Sequence, residues 1–192
     1  MPQPKRVLGL RLPLAPRSRL EPDMRRYFAV CEEKLGFVPN VLAASSFDRA
    51  KLRAFVGFYN ELMLAKSGLT RLEREMIAVV VSSANRCYYC LTAHGAAVRA
   101  LAGDPELGEM LVMNWRVAPL PRRQRLMLEF VHKLTVTPAE VEAADRARLR
   151  KAGFAARDIW DIASVAGFFN FTNRLATAVD MMPNRAYHAQ AR

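Results

Sequence analysis

The chain has 192 residues, of which 52% are hydrophobic, and it carries a net charge of +11. This length and apolar content are typical of a soluble globular protein with one buried core. No apolar run approaches the roughly 20 residues that cross a bilayer, and prolines interrupt the basic first residues, which excludes the apolar segment of a signal peptide. We therefore expect a cytoplasmic protein with no membrane partner.

The excess of basic residues raises the question of nucleic-acid binding, because lysine and arginine neutralise phosphates. Arginine supplies 23 of the 29 basic residues, and these are spread along the whole chain. No recognisable DNA-binding or RNA-binding motif accompanies them. We therefore expect no nucleic-acid partner.

The predicted elements are all helices. Residues 1–20 form a basic, proline-rich N-terminal arm that we expect to lie across a neighbouring subunit or to form an ordered strap, and residues 21–192 form a single helical domain. No stretch shows the alternation of a strand, and no glycine-rich nucleotide loop occurs. The predicted elements are a helix over 22–36, a short turn over 41–45, a helix over 47–67, two helices either side of Asn85, helices over 104–115 and 122–134, a helix start at Thr137-Pro138-Ala139-Glu140, and a last helix over 155–180.

The two helices around Asn85 carry the residues that could take part in a chemical reaction. Thr70 and Glu73 read as a capping box, and the helix that they begin should end near Ser82–Asn85, where short polar side chains compete for backbone hydrogen bonds. If the next helix folds back as a hairpin, a residue ten before the turn faces one ten after it. Glu75 and His94 are then neighbours.

The second helix of this hairpin presents two thiols and an imidazole on one face. Cys90 and His94 are four residues apart, and Cys87 lies three before Cys90 at the helix N-terminus. The positive end of the helix dipole and the adjacent Arg86 should both lower a thiol pKa there. The pattern therefore predicts thiol chemistry driven by a proton relay.

These four residues match a known signature. Glu75, Cys87, Cys90 and His94 resemble the Glu-x11-Cys-x2-Cys-x3-His pattern of the AhpD-like alkylhydroperoxidases, within the carboxymuconolactone decarboxylase superfamily. Two further segments, residues 35–40 (LGFVPN) and 168–176 (FFNFTNRLA), resemble its peroxidase-related branch. The resemblance implies an all-α, AhpD-like helical bundle that assembles as a homo-oligomer, whether dimer, trimer or hexamer. The last predicted helix also carries Phe168, Phe169 and Phe171 on several sides, so we expect these rings to need a second subunit. The resemblance also implies the reduction of hydrogen peroxide or organic hydroperoxides.

The resemblance assigns a role to each residue of the quartet. Cys90 becomes the thiol that attacks the peroxide and Cys87 the thiol that closes the disulfide. Glu75 polarises His94, which takes the proton from Cys90. The cycle needs no cofactor and no metal, but it does need a dithiol reductant such as a dihydrolipoyl carrier. An acidic carrier could be steered by Arg86, which precedes Cys87.

Other interpretations compete with this one. A Cys-x-x-Cys with a histidine could be half of a zinc site, but Cys31, His132 and His188 do not repeat its spacing. A redox sensor or disulfide-exchange protein would need the same thiols without efficient turnover, whereas lactone decarboxylation requires neither thiol. Two further pairs of residues each have alternative roles. Tyr88 and Tyr89 could line a peroxide pocket or pack at a subunit contact. Asn170 and Asn173 could cap an adjacent helix, which we favour, or could orient His94 or line the access channel.

Overall fold

A computed structural model describes residues 6–192, and this part of the chain is helical, with no strand. Within it the helices follow one another through short loops and three short 3-10 turns. The α-helices are α1 (Pro22–Leu35), α2 (Asn40–Ser45), α3 (Arg49–Met63), α4 (Arg71–Ala84), α5 (Tyr88–Ala102), α6 (Pro105–Asn114), α7 (Arg122–Val136), α8 (Ala143–Lys151), α9 (Ala156–Ala178) and α10 (Ala186–Ala189). No helix in this described part is long and apolar enough to cross a membrane.

Helix α4 lies at the centre of the bundle. Its residues from Glu73 to Ser82 are all buried, and it packs against α5, α6, α7 and α9. The apolar run Met76–Val81 is at most 1% exposed, as expected for a helix that is apolar on every side and therefore enclosed by its neighbours. Glu75, which precedes this run, is therefore also buried inside the protein.

The long helices lie close to their predicted positions. Helix α1 ends at Gly36, whose left-handed backbone (φ 79°) suits a residue without a Cβ. The capping box predicted at the start of α4 is present, because Thr70 accepts a hydrogen bond from the Glu73 backbone and returns one to its carboxylate. The hairpin of α4 and α5 is confirmed.

Three local predictions were wrong. The helix expected over 47–67 is shorter, because Asp48 caps its start by accepting from the Lys51 backbone at 3.0 Å, and it ends at Met63. Residues 40–45 form the short helix α2 rather than a turn. The box at Thr137 is absent, because its hydroxyl donates back to the Lys133 carbonyl, so only a 3-10 turn follows and α8 begins later, at Ala143.

The described part of the N-terminal arm, residues 6–20, lies against its own chain. The Gly9 backbone donates to the Val179 carbonyl at 2.8 Å, and the Met182 backbone donates to the Val7 carbonyl at 2.9 Å. Leu8 between them is 7% exposed. This segment is thus a strap against the C-terminal residues, and the first five residues of the predicted arm lie outside the described part of the chain.

The aromatic residues of α9 divide into buried and exposed ones. Phe168 and Phe169 lie in the chain's own core, although we had expected the phenylalanines of this helix to need a second subunit. Phe171 is 57% exposed, and Trp160 of the same helix is 73% exposed. The expectation therefore fails for the first two residues, whose partners lie within the monomer.

Candidate active site

The turn between α4 and α5 is short and held from several sides. The Cys87 backbone donates to the Ser82 carbonyl at 3.0 Å, and Arg86 between them has a left-handed backbone with φ 52°. The Asn85 side chain donates to the amide oxygens of Asn170 and Asn173, at 3.1 and 3.0 Å. These bonds fix the start of α5, and with it the thiols, relative to α4 and α9.

Glu75 and His94 are direct neighbours, as the hairpin predicted. Imidazole Nδ1 lies 2.6 Å from Glu75 Oε2, and both side chains are largely buried. An ionised carboxylate only accepts hydrogen bonds, so Nδ1 is the donor and Nε2 is left for a second partner. The Phe169 ring meets the imidazole edge-on, with centroids 4.5 Å apart, and restricts its rotation. The pair is an oriented acid–base unit.

Both thiols of the Cys-x-x-Cys pair are buried, with 1% of Cys87 and 3% of Cys90 exposed. Cys87 is the residue that precedes the first turn of α5. Its polar contact with the Cys90 thiol, followed by contributions from the Cys90 backbone, Thr177 and His94, lowers the pKa of Cys87 to about 6 against the opposing effect of burial. At neutral pH the structure therefore favours a thiolate on Cys87.

The second thiol behaves in the opposite way. The contact with Cys87 is the largest cause that raises the pKa of Cys90, and burial adds to it. Asn173 and Thr172 of α9 make polar contacts with Cys90 that partly oppose this rise. The two sulfurs therefore form a coupled pair, in which ionisation of Cys87 disfavours ionisation of Cys90.

Arg86 does not contribute to this electrostatic arrangement. We had expected it to lower the thiol pKa, but its side chain is exposed and it is not among the groups that shift the pKa of Cys87. Arg86 itself has a left-handed backbone, with φ 52°. The contacts with Cys90, Thr177 and His94 take the place that we had assigned to Arg86.

A cavity of about 310 Å³ reaches the relay. Its inner wall includes Glu75, Cys90 and His94, whereas Cys87 is not among its lining residues. Most of the remaining lining side chains are apolar or aromatic, which is typical of small-molecule sites. These side chains come from α1, α2, α3, α5, α9 and α10, and examples are Val30, Leu42, Val56, Phe168 and Ala176. A small molecule can thus reach Cys90 through this cavity.

The two tyrosines between the thiols have different surroundings. Tyr89 is buried, lines the cavity, and accepts a hydrogen bond from the Val41 backbone at 3.0 Å. Tyr88 is 55% exposed, and its hydroxyl lies 3.3 Å from His188 Nε2. Of the two alternatives weighed from the sequence, the pocket therefore applies to Tyr89.

Of three further residues that contact the thiols, two were missed from the sequence and one, Asn173, was assigned to capping. Thr172, Asn173 and Thr177 all belong to α9 and contact Cys87 or Cys90. The only signal was a pair of asparagines three residues apart on an apolar helix, which we had assigned to capping. Asn173 instead accepts from the Asn85 side chain in the turn and also contacts Cys90, so neither contact is the backbone capping that we had favoured.

Among residues 6–192, no group of three or more histidine, cysteine and acidic side chains is placed to hold a metal ion. The Nδ1 atom of His94 is occupied by Glu75, and Cys87 and Cys90 contact each other. The arrangement can accept a proton, form a thiolate and close a disulfide.

Comparison with known proteins identifies the family. The sequence profile of the carboxymuconolactone decarboxylase family matches residues 50–118, a segment that contains the whole quartet. The uncharacterized protein YnjA of Escherichia coli (strain K12) is 30% identical over 130 residues, which are 66% of this chain and 68% of YnjA. The chain belongs to the carboxymuconolactone decarboxylase family.

Solved structures refine this placement. An uncharacterized peroxidase-related protein from Silicibacter sp. TM1040 is 61% identical and superposes with a TM-score of 0.94 over 100% of both chains. An uncharacterized peroxidase-related protein from Ralstonia eutropha JMP134, described as an alkylhydroperoxidase AhpD core, is 37% identical, with a TM-score of 0.93 over 98% of both chains. The all-helical fold is therefore AhpD-like, and the resemblance read from the sequence is confirmed.

Proposed function

We propose that this protein is a dithiol peroxidase that reduces hydrogen peroxide or organic hydroperoxides. The observation that carries the proposal is the Glu75–His94 pair, at 2.6 Å, on the wall of a cavity that also exposes Cys90. The similarity to proteins described as peroxidase-related supports the same class of reaction.

Cys90 is the attacking thiol in this proposal, because it faces the cavity and Cys87 does not. His94, held by Glu75, takes the proton from Cys90 as the peroxide binds. The Cys90 thiolate then attacks the distal peroxide oxygen and breaks the O–O bond. The thiolate becomes a sulfenic acid, and the alkoxide leaves as an alcohol after taking a proton.

Cys87 completes the cycle as the resolving thiol. Its lowered pKa supplies a thiolate at neutral pH, and its contact with Cys90 places that thiolate beside the sulfenic acid. Attack on the Cys90 sulfur forms the disulfide and releases water. An external dithiol, such as a dihydrolipoyl carrier, must then return two electrons, which suits the cytoplasmic location in this proposal.

Homo-oligomerisation is a further part of the proposal. Large apolar side chains remain exposed on one chain, among them Phe58, Trp160 and Phe171. Such residues favour burial against another subunit, although the number of subunits does not follow from them. Light scattering on a size-exclusion column measures the assembly directly.

The test is steady-state consumption of an organic hydroperoxide with dihydrolipoamide as reductant. We expect many turnovers for the wild type, none for Cys90→Ser, and an accumulated sulfenic acid in Cys87→Ser. Sulfenic-acid labelling that is lost in Cys87→Ser and kept in Cys90→Ser would reverse the two thiol roles. Consumption of about one equivalent of peroxide, without turnover, would instead identify a redox sensor or disulfide-exchange protein.

A further inference from the structure

Two basic residues lie at the mouth of an otherwise apolar cavity. Arg71, at the start of α4, and Lys34, near the end of α1, both line the cavity and are both exposed to solvent. The relay residues lie on the inner wall, among buried side chains. The cavity is therefore cationic at its opening and apolar along its length.

The fold does not use these two cations. Within residues 6–192 the side chains of Arg71 and Lys34 form no hydrogen bond or ion pair, whereas nine other basic side chains there pair with a carboxylate. Arg71 is the first residue of α4, where the positive end of the helix dipole disfavours a cation. Stability of α4 therefore does not explain an arginine at this position.

We propose that the substrate is an amphipathic hydroperoxide that carries a carboxylate, of the fatty-acid type. Arg71 and Lys34 bind the carboxylate at the mouth, and the apolar wall binds the chain. This inference rests on the proposed peroxidase function and names the substrate class of the same site. A guanidinium and an ammonium together select an anionic end, whereas neutral hydroperoxides gain nothing from them.

The positions along α4 give the orientation of the bound molecule. Arg71 and Glu75 are four residues apart, so they lie on one face with Arg71 one turn closer to solvent. Glu75 holds His94, and Cys90 lies on the same inner wall. A carboxylate at Arg71 therefore directs the apolar chain, with its hydroperoxide group, towards Cys90.

The reaction remains balanced with this substrate. Cys90 sulfur takes the distal oxygen, the hydroperoxide becomes the hydroxy acid, and Cys87 closes the disulfide with release of water. The reductant is the dithiol named above, which gives two electrons and two protons per cycle. The carboxylate takes no part in the chemistry and serves only for binding.

The first experiment measures binding without turnover. Decanoate and methyl decanoate differ in charge but share one chain, and their dissociation constants are measured by calorimetry with the full-length protein. We expect the wild type to prefer decanoate, and the double variant Arg71→Gln/Lys34→Gln to reduce that preference about tenfold. The preference should also weaken with added salt.

A matched double variant provides the control. Arg157 lies in the first turn of α9, as Arg71 does in α4, and Lys66 is an exposed lysine; neither lines the cavity. Arg157→Gln/Lys66→Gln should keep the preference for decanoate. An equal loss in both double variants would show that only net charge matters and would overturn the proposal, as would a wild type that binds both ligands equally.

A second experiment separates this inference from the proposed function. Turnover of linoleic acid hydroperoxide is compared with turnover of its methyl ester, and the ratio of their kcat/KM values is measured in each variant. A ratio that falls about tenfold in Arg71→Gln/Lys34→Gln supports the inference. If both peroxides are consumed and the ratio does not change, the inference fails while the peroxidase function stands. If neither is consumed, the peroxidase function fails and the binding result still tests the anion site.

Discussion

The contact between the two thiols predicts a large change in the pKa of Cys87 when Cys90 is replaced. Cys87 has a pKa of about 6, against an ordinary value of 9.0, and the Cys90 side chain is the largest cause of that difference. Cys90→Ala removes this contact and leaves the Cys90 backbone in place. We therefore expect the pKa of Cys87 to rise from about 6, because burial then acts without the contact that most strongly opposes it.

The Cys90 contact lowers the pKa of Cys87 because it stabilises the thiolate form of Cys87 over the thiol form. Below the folded-state pKa Cys87 is protonated, and above it Cys87 is the thiolate. At pH 7 a pKa of about 6 gives about nine-tenths thiolate, and any rise in that pKa lowers the thiolate fraction. The wild type should therefore form its thiolate as pH rises through about 6, and the variant only at higher pH.

Ultraviolet absorbance of the thiolate measures this titration without requiring a reagent to enter the protein. The Cys87→Ser variant gives the baseline absorbance. Cys31 does not contribute a thiolate signal near pH 6–7, because burial raises its pKa. Thr177→Val is the matched comparison, because Thr177 contributes less than Cys90 and should give a smaller rise. A midpoint that stays at about 6 in Cys90→Ala, or a larger shift in Thr177→Val, would refute the reasoning.

Three further predictions concern the relay and its support. Glu75→Gln should keep the fold, measured by circular dichroism, and reduce peroxide turnover by about 10²-fold or more, because the imidazole loses its charged partner; undiminished turnover would exclude the relay. Phe169→Ala should cost about 3–5 kcal/mol of unfolding free energy in urea, because a 1% exposed ring leaves a cavity beside His94; a loss below about 1 kcal/mol would mean that the site collapses. Thr70→Ala should cost roughly 1 kcal/mol in the same assay by removing the cap of α4, and an unchanged midpoint would contradict the role of the capping box.

The sequence was sufficient to predict the neighbours within one hairpin. Helical periodicity and the position of one turn bring Glu75 and His94 together. Both features can be predicted from a short stretch of sequence. Arg86 shows the limit of local reading, because it precedes Cys87 in sequence and yet is not among the groups that shift the pKa of Cys87. Its side chain is exposed and its backbone is left-handed, and the residue type indicated neither property.

The contribution of α9 could not be predicted in the same way. Asn173 lies 83 positions beyond Cys90, so their contact depends on how α9 packs across the hairpin. Nothing in the periodicity of an apolar helix selects the face that meets a particular neighbour. The cavity is equally non-local, because its walls come from helices separated by most of the chain.

The hydrogen bonds around Asn85 make the length of this turn part of the site. Most loops tolerate inserted residues because nothing buried depends on their length. Here an insertion would rotate every side chain of α5 by about 100° about the helix axis relative to α4, since each helical residue occupies that angle. His94 would then leave Glu75, while the bonds from Asn85 to Asn170 and Asn173 resist any compensating shift. The number of residues between Glu75 and Cys87, which is eleven, is therefore as much a part of the site as the buried side chains among them.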